Sequence, residues 1–153
     1  MGEPLSPTFD MTERASFPFW SQISTRFSDI DELAHVNNIA TASYCETGRV
    51  ELRQTIFRRH MVAEGRGFVV AKVTLTYLAQ ATFPGIVDVG TRVMRVGRTS
   101  YGLGQGVFQN DTCFATCEVV SVHVDLKTGK ALPLPDDLRR SLERFLGPTA
   151  QDA

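Results

Sequence analysis

Two carboxylates, an imidazole and a pair of asparagines fall within ten residues of one another: Asp29, Asp31, His35, Asn37 and Asn38. They follow what reads as the end of a strand, and a helix begins at the asparagines. Asparagine is a strong helix N-cap, because its side chain accepts from an N–H of the first turn that has no partner within the helix. The same helix start carries partial positive charge and open N–H groups, both suited to an oxyanion. A carboxylate beside such a site is the equipment of acyl transfer. It can attack a carbonyl carbon or take the proton of an attacking water, while the N–H groups polarise the carbonyl oxygen.

These residues need one element to deliver them and another to receive them. Residues 17–27 read as a first strand, with Phe19, Ser21, Ile23, Thr25 and Phe27 on one face. From 38 to about 60 no proline interrupts a long helix, and Ala42, Cys45, Gly48 or Arg49, Leu52 and Ile56 recur as a buried stripe. Gly48 costs roughly 1 kcal/mol relative to alanine, which close approach to a sheet or a second helix would offset. Glu46 and Arg49, three residues apart, pair on the helix surface.

Four strands follow, at 68–79, 86–96, 99–109 and 112–126, joined by turns short enough to require antiparallel neighbours. In the first of them Val69, Ala71, Val73, Leu75 and Tyr77 form an apolar face; in the next, Val87, Val89, Thr91 and Val93 do so. Gly102, Gly104 and Gly106 leave three side chains missing from one strand face. That predicts close approach of the central helix, with a channel for a slender ligand as the alternative. A final helix spans 136–146, with Leu138, Leu142 and Leu146 at four-residue spacing. The order is strand, long helix, four antiparallel strands, short helix: an α+β layout in which one five-stranded sheet covers one long central helix.

Composition narrows the classes. A chain of 153 residues is one domain, here 17–147, with a mobile leader at 1–16 and a tail at 148–153. With 16 basic against 17 acidic residues, the net charge of −1 gives no drive toward nucleic acid or an anionic membrane. No apolar run approaches the roughly 20 residues of a membrane span, and the first residues lack a signal-peptide core, so the cytoplasm is the expected compartment. The three cysteines, Cys45, Cys113 and Cys117, read as buried free thiols, and scattered histidines without Cys-x2-Cys spacing predict no metal.

The run Asp-x-Asp-x3-His-Val-Asn-Asn, followed by Tyr44, Glu46 and Arg49, resembles the hotdog-fold thioesterases of the 4-hydroxybenzoyl-CoA and long-chain acyl-CoA thioesterase type. The resemblance extends over residues 17–146 and includes the ending Gly129-Lys-Ala-Leu-Pro-Leu-Pro. It implies a hotdog fold and hydrolysis of an acyl- or aroyl-CoA to free acid and CoA without a cofactor. Asp31, four residues before His35, takes the place of the family's nucleophile or general base. Asn37 and Asn38 would supply the backbone N–H groups, and His35 is a further candidate for catalysis or substrate positioning. Arg95, Arg98, Thr99 and Ser100 surround the turn that in the resembling family lies near the nucleotide. The chain departs from the family's pattern at Leu33 and at Ala34, where glycine is usual. An acyl-carrier-protein thioesterase and a non-catalytic acyl-CoA-binding module are the alternatives. Open sheet edges and a small-residue helix face predict a homodimer with sites at the interface, and the resemblance adds a tetramer of dimers as a further arrangement.

Overall fold

The structure, a computed structural model, describes residues 9–57 and 65–147. The first residues of the expected leader, the expected helix end at 58–60 and the tail at 148–153 lie outside the described residues. Strands β1 (Phe19–Ser24), β2 (Arg66–Tyr77), β3 (Ile86–Val96), β4 (Ser100–Gln109) and β5 (Thr112–Asp125) form one sheet. Its order is β1-β3-β4-β5-β2 and every pairing is antiparallel. The long helix α1 (Asn38–Ile56) lies across one face, and a short helix α2 (Asp136–Glu143) closes the end of the core. The sheet wraps the helix as the resemblance implies.

Helix and sheet approach each other closely at Gly48. A Cβ there would lie 2.7 Å from Val89 Cγ1 and 3.0 Å from Gln105 Nε2. Gln105, fully buried, donates from Nε2 to the Cys45 carbonyl at 2.9 Å and to Thr91 Oγ1 at 3.1 Å, stapling the helix to two strands. The missing side chain therefore serves helix–sheet contact within one chain. The buried face of α1 is Ala40, Thr41, Tyr44, Cys45, Gly48 and Leu52. Ala42, expected in that stripe, is exposed, together with Ile39, Ser43 and Glu46.

Several expectations are corrected by local geometry. The first strand ends at Ser24, and Phe27 opens a 3-10 turn (Phe27–Asp29), where it is 81% exposed rather than on the strand's inner face. In β2 a bulge between Val70 and Lys72 reverses the alternation. Phe68, opposite His123, and Leu75, opposite Cys117, both reach the core, so Val69 lies on the other face from Val73, Leu75 and Tyr77. The final helix stops at Glu143, and Leu146 instead pairs with Val93 on the edge of β3 beyond the last β1 partner, Thr91.

The glycines of β4 receive a different neighbour from the expected helix. A Cβ at Gly106 would lie 2.5 Å from the Met11 carbonyl and 2.8 Å from the Phe17 ring; one at Gly104 would lie 3.2 Å from Met11 Sδ. Residues 9–17 thus lie on the sheet face away from α1, where Phe17 packs edge-on against Trp20 and Phe108. Arg14 bridges Asp88 at 3.0 Å and stacks over Trp20 and Phe108. Ordered contacts therefore begin ahead of the domain boundary expected at residue 17.

Replacing Gly48 with leucine should push α1 off the sheet, because the Cβ would run into Val89, fully buried in the strand, and into Gln105, held by its bonds to Cys45 and Thr91. A loss of about 2–3 kcal/mol is expected, read as a lower urea midpoint at unchanged slope.

Candidate active site

The chain between β1 and α1 is a loop that bonds to itself. Ile30 pairs with Val36 as an isolated antiparallel bridge. The Asp31 N–H donates to the His35 carbonyl at 2.9 Å, and the Ala34 N–H to the Asp31 carbonyl at 3.0 Å. Asp31 Oδ1 accepts from the N–H groups of Leu33 at 2.9 Å and His35 at 3.2 Å. One carboxylate oxygen is thereby held by the turn. Oδ2 accepts no bond among the described residues, and the side chain is exposed. Ala34 takes φ of 62°, the left-handed region that accounts for the glycine usual there in the resembling family.

Asp29, two residues earlier, is 2% exposed and gathers the surrounding elements. Its Oδ2 accepts from the Tyr44 hydroxyl at 2.7 Å and the Arg26 N–H at 2.9 Å. Its Oδ1 accepts from Arg26 Nε at 3.1 Å and Nη2 at 2.9 Å, and its carbonyl accepts from the Asn37 N–H at 2.8 Å. Burial pushes the Asp29 carboxyl upward, but the Tyr44 and Arg26 bonds outweigh it and hold the group below the ordinary carboxylate value. The Tyr44 phenol is driven up by its own burial and by the Asp29 carboxylate it bonds.

Asn37 is the cap of α1: its Oδ1 accepts from the Ala40 N–H at 2.7 Å, and its carbonyl accepts from the Thr41 N–H at 3.1 Å. Since the Asn37 N–H goes to Asp29, it is not open to a substrate, contrary to the reading that paired it with Asn38. Among the described residues the open donors are Asn38 and Ile39, the first two helical residues, whose N–H groups have no partner within the helix. Recognising Asn37 as the cap would have shifted the expected donor pair by one residue. The His35 ring is half-buried and its Nδ1 has no partner among the described residues; the ring does not bond the Asp31 carboxylate.

The cationic cluster stands apart from this site. The Tyr77 hydroxyl donates to the Asn38 carbonyl at 3.3 Å, placing the end of β2 at the start of α1. At the far end Phe57 stacks on Phe68, whose ring meets Tyr101 just past the Gly97 turn. Arg95, Arg98, Thr99 and Ser100 surround that turn, which is fixed to α2 by Arg139 donating to the Gly97 carbonyl. The 19 residues of α1 lie between, about 28 Å. Within one chain, these four residues and Asp31 do not meet.

A cleft of about 290 Å³ opens beside the helix. Ala42, Ser43, Glu46 and Arg49 of α1 form one wall, and Val73 and Leu75 of β2 the other. Cys45 and Cys117, both 1% exposed and both free thiols, lie at its floor, while Cys113 is half-buried. Among the described residues no cluster of three or more His, Cys, Asp or Glu is placed to hold a metal ion, and no helix is long and apolar enough to cross a membrane.

The Asp29 arrangement has a pH signature. Because its folded value is lowered, the ionised latch stabilises the protein fully above the ordinary value of 3.8 and is lost as pH falls through the lower folded value. Asp29→Asn should cost about 2 kcal/mol at neutral pH, since an amide cannot accept from all its present donors. The gap in urea midpoint between the two proteins should stay constant from neutral pH down to the ordinary carboxylate value of 3.8 and narrow only below it, as acid removes the wild-type advantage.

Residues 25–142 match the family model of the thioesterase-like superfamily. The chain is 30% identical over 135 residues to YsmA, an uncharacterized protein of Bacillus subtilis (strain 168), covering 84% of this chain and 88% of that one. It is 27% identical over 129 residues to the long-chain acyl-CoA thioesterase FadM of Escherichia coli (strain K12), covering 82% and 98%. A Thermus thermophilus thioesterase solved with coenzyme A and Zn superposes with a TM-score of 0.75 at 33% identity, over 87% of this chain and 97% of that one. The chain therefore belongs to the thioesterase-like superfamily and is a thioester hydrolase of the hotdog fold.

Proposed function

We propose that this chain hydrolyses acyl-CoA thioesters, with Asp31 as the catalytic carboxylate and the Asn38 and Ile39 N–H groups as the oxyanion site. The observation that carries it is the state of Asp31. One oxygen is fixed by the turn, the other accepts no bond among the described residues, and the loop that holds it ends on a helix whose first two N–H groups have no partner within the helix. The carboxylate attacks the thioester carbon and expels the CoA thiolate, leaving a mixed anhydride that water then hydrolyses, or it takes a proton from a water that attacks and expels the thiolate directly; either route builds negative charge on the carbonyl oxygen. The N–H pair meets that charge at the positive end of α1. Similarity to FadM and to the CoA-bound Thermus thioesterase supports CoA as the carrier of the acyl group.

Asp31→Asn is a clean test, because its retained Oδ1 still accepts from Leu33 and His35. Turnover of acyl-CoA, followed by release of free thiol, should fall roughly 100- to 10,000-fold while the fold and its melting point are kept. A fully active variant would sink the assignment.

A homodimer brings the two separated clusters together. Edge strand β2 carries Val70, Val73 and Tyr77 on its helix side at 46, 47 and 47% exposure, beside Ile39 at 83%. That makes an apolar patch along an unpaired edge. Two β2 strands paired antiparallel about a two-fold axis would set the start of one against the end of the other. Each Asp31 loop would then face the partner subunit's Gly97 turn, and Arg95, Arg98, Thr99 and Ser100 would receive the phosphates of a CoA bound at Asp31. Gly48, which faces its own sheet, plays no part in this contact. Val70→Lys should give a monomer by sedimentation, with activity lost alongside the dimer; an active monomer would refute the shared site.

A further inference from the structure

The cleft beside α1 contains a charge that an ordinary fatty acyl chain cannot satisfy. Ala42, Cys45, Glu46 and Arg49 share one helix face, at spacings of three and four residues. The Arg49 side chain is only 16% exposed, and its one ion pair among the described residues is to Glu46, with Nη2 3.7 Å from Oε2. That separation exceeds a hydrogen bond, and Glu46 is itself 66% exposed. Within one chain, the neighbours across the cleft among the described residues are Val73, Leu75 and the thiol of Cys117, none of which is a carboxylate. Guanidinium stays ionised at any working pH, so a methyl-ended chain filling this space would strip water from Arg49 and supply nothing in exchange. A carboxylate would meet the planar fork with two parallel bonds, while solvent-exposed Glu46 turned outward.

We infer that Arg49 is a specificity residue that receives a carboxylate at the far end of the acyl chain, so that the preferred substrates are ω-carboxyacyl thioesters. The inference rests on the thioesterase reading and names the substrate class of the same site. Distance suits a short or medium chain. Arg49 lies eleven residues beyond Asn38, a rise of about 16 Å along the helix, and helical side chains lean back toward the N-terminus.

The test compares matched CoA esters: butyryl with succinyl, hexanoyl with adipoyl, and octanoyl with octanedioyl. The wild-type protein should favour the carboxylated member of at least one pair by roughly tenfold in kcat/KM, chiefly through KM. Arg49→Met should lose roughly 30-fold on that member and change its unsubstituted partner by less than about threefold. Arg49→Lys, which keeps the charge without the fork, should retain part of the preference. Equal losses on both members in Arg49→Met would make the residue structural and overturn the inference. So would a wild-type preference for the unsubstituted member of every pair, whichever variants fold. Turnover without carboxylate preference leaves the thioesterase reading standing; no turnover of any of the six esters would overturn both.

Discussion

The buried carboxylate of Asp29 is the contact on which the site depends. It sits where three elements have to agree: the turn leaving β1, the cap of α1, and the second turn of that helix through Tyr44. Bonds to a buried ionised group are stronger than neutral ones and much costlier to leave unmade. Asp29 therefore fixes the angle at which the chain enters the helix, and the neighbouring Asp31 inherits its position from that angle. Two acids two residues apart divide the labour by environment. The buried one is saturated with donors and inert, while the exposed one keeps an oxygen open.

The same division runs through the rest of the fold. Where α1 meets the sheet, small residues and a buried glutamine allow backbone contact that a larger side chain would break. On the opposite face, glycines at 90, 104 and 106 let the segment from Phe9 to Phe17 lie directly on the strands. Both faces of the β1-β3-β4 side are thus closed within one chain. The β2 side is left open, with the cleft and the apolar edge together. Buried contact is concentrated at the helix entry and on one half of the sheet, and exposed apolar surface on the other half.

Much of this was legible in the residues. Alternating valines at 87, 89 and 93 and the three-four spacing of α1 gave the element order, and the Asp-x-Asp-x3-His-Val-Asn-Asn run located the loop. What resisted reading were effects set by a single neighbour. Nothing in the run from Val69 to Tyr77 marks Ala71 as a bulge, because alternation there fits either face until β5 imposes its register. The glycines of β4 signalled a close approach correctly, but not which layer made it, since any backbone or ring fits over a missing side chain. The Asn37 N–H, expected to be open, is taken for a related reason. Two consecutive asparagines can each cap a helix; the bond from the Ala40 N–H to Asn37 Oδ1 makes Asn37 the cap, and its own N–H goes to the Asp29 carbonyl.

Ala34 shows how much constraint the loop carries. An L-residue in the left-handed region costs on the order of 1–2 kcal/mol, and a glycine would avoid it. The conformation persists because the surroundings over-determine it. The Ala34 N–H is bonded back to Asp31, the next residue donates to the Asp31 carboxylate, and Val36 is tied to the Ala81 carbonyl at 2.8 Å. Those bonds close around the Asp31 carboxylate and hold its Oδ1 in place. A turn loose enough to be relaxed at Ala34 would also let that carboxylate swing, so the strain at one residue and the fixed aim of the other have a common origin in the same few hydrogen bonds.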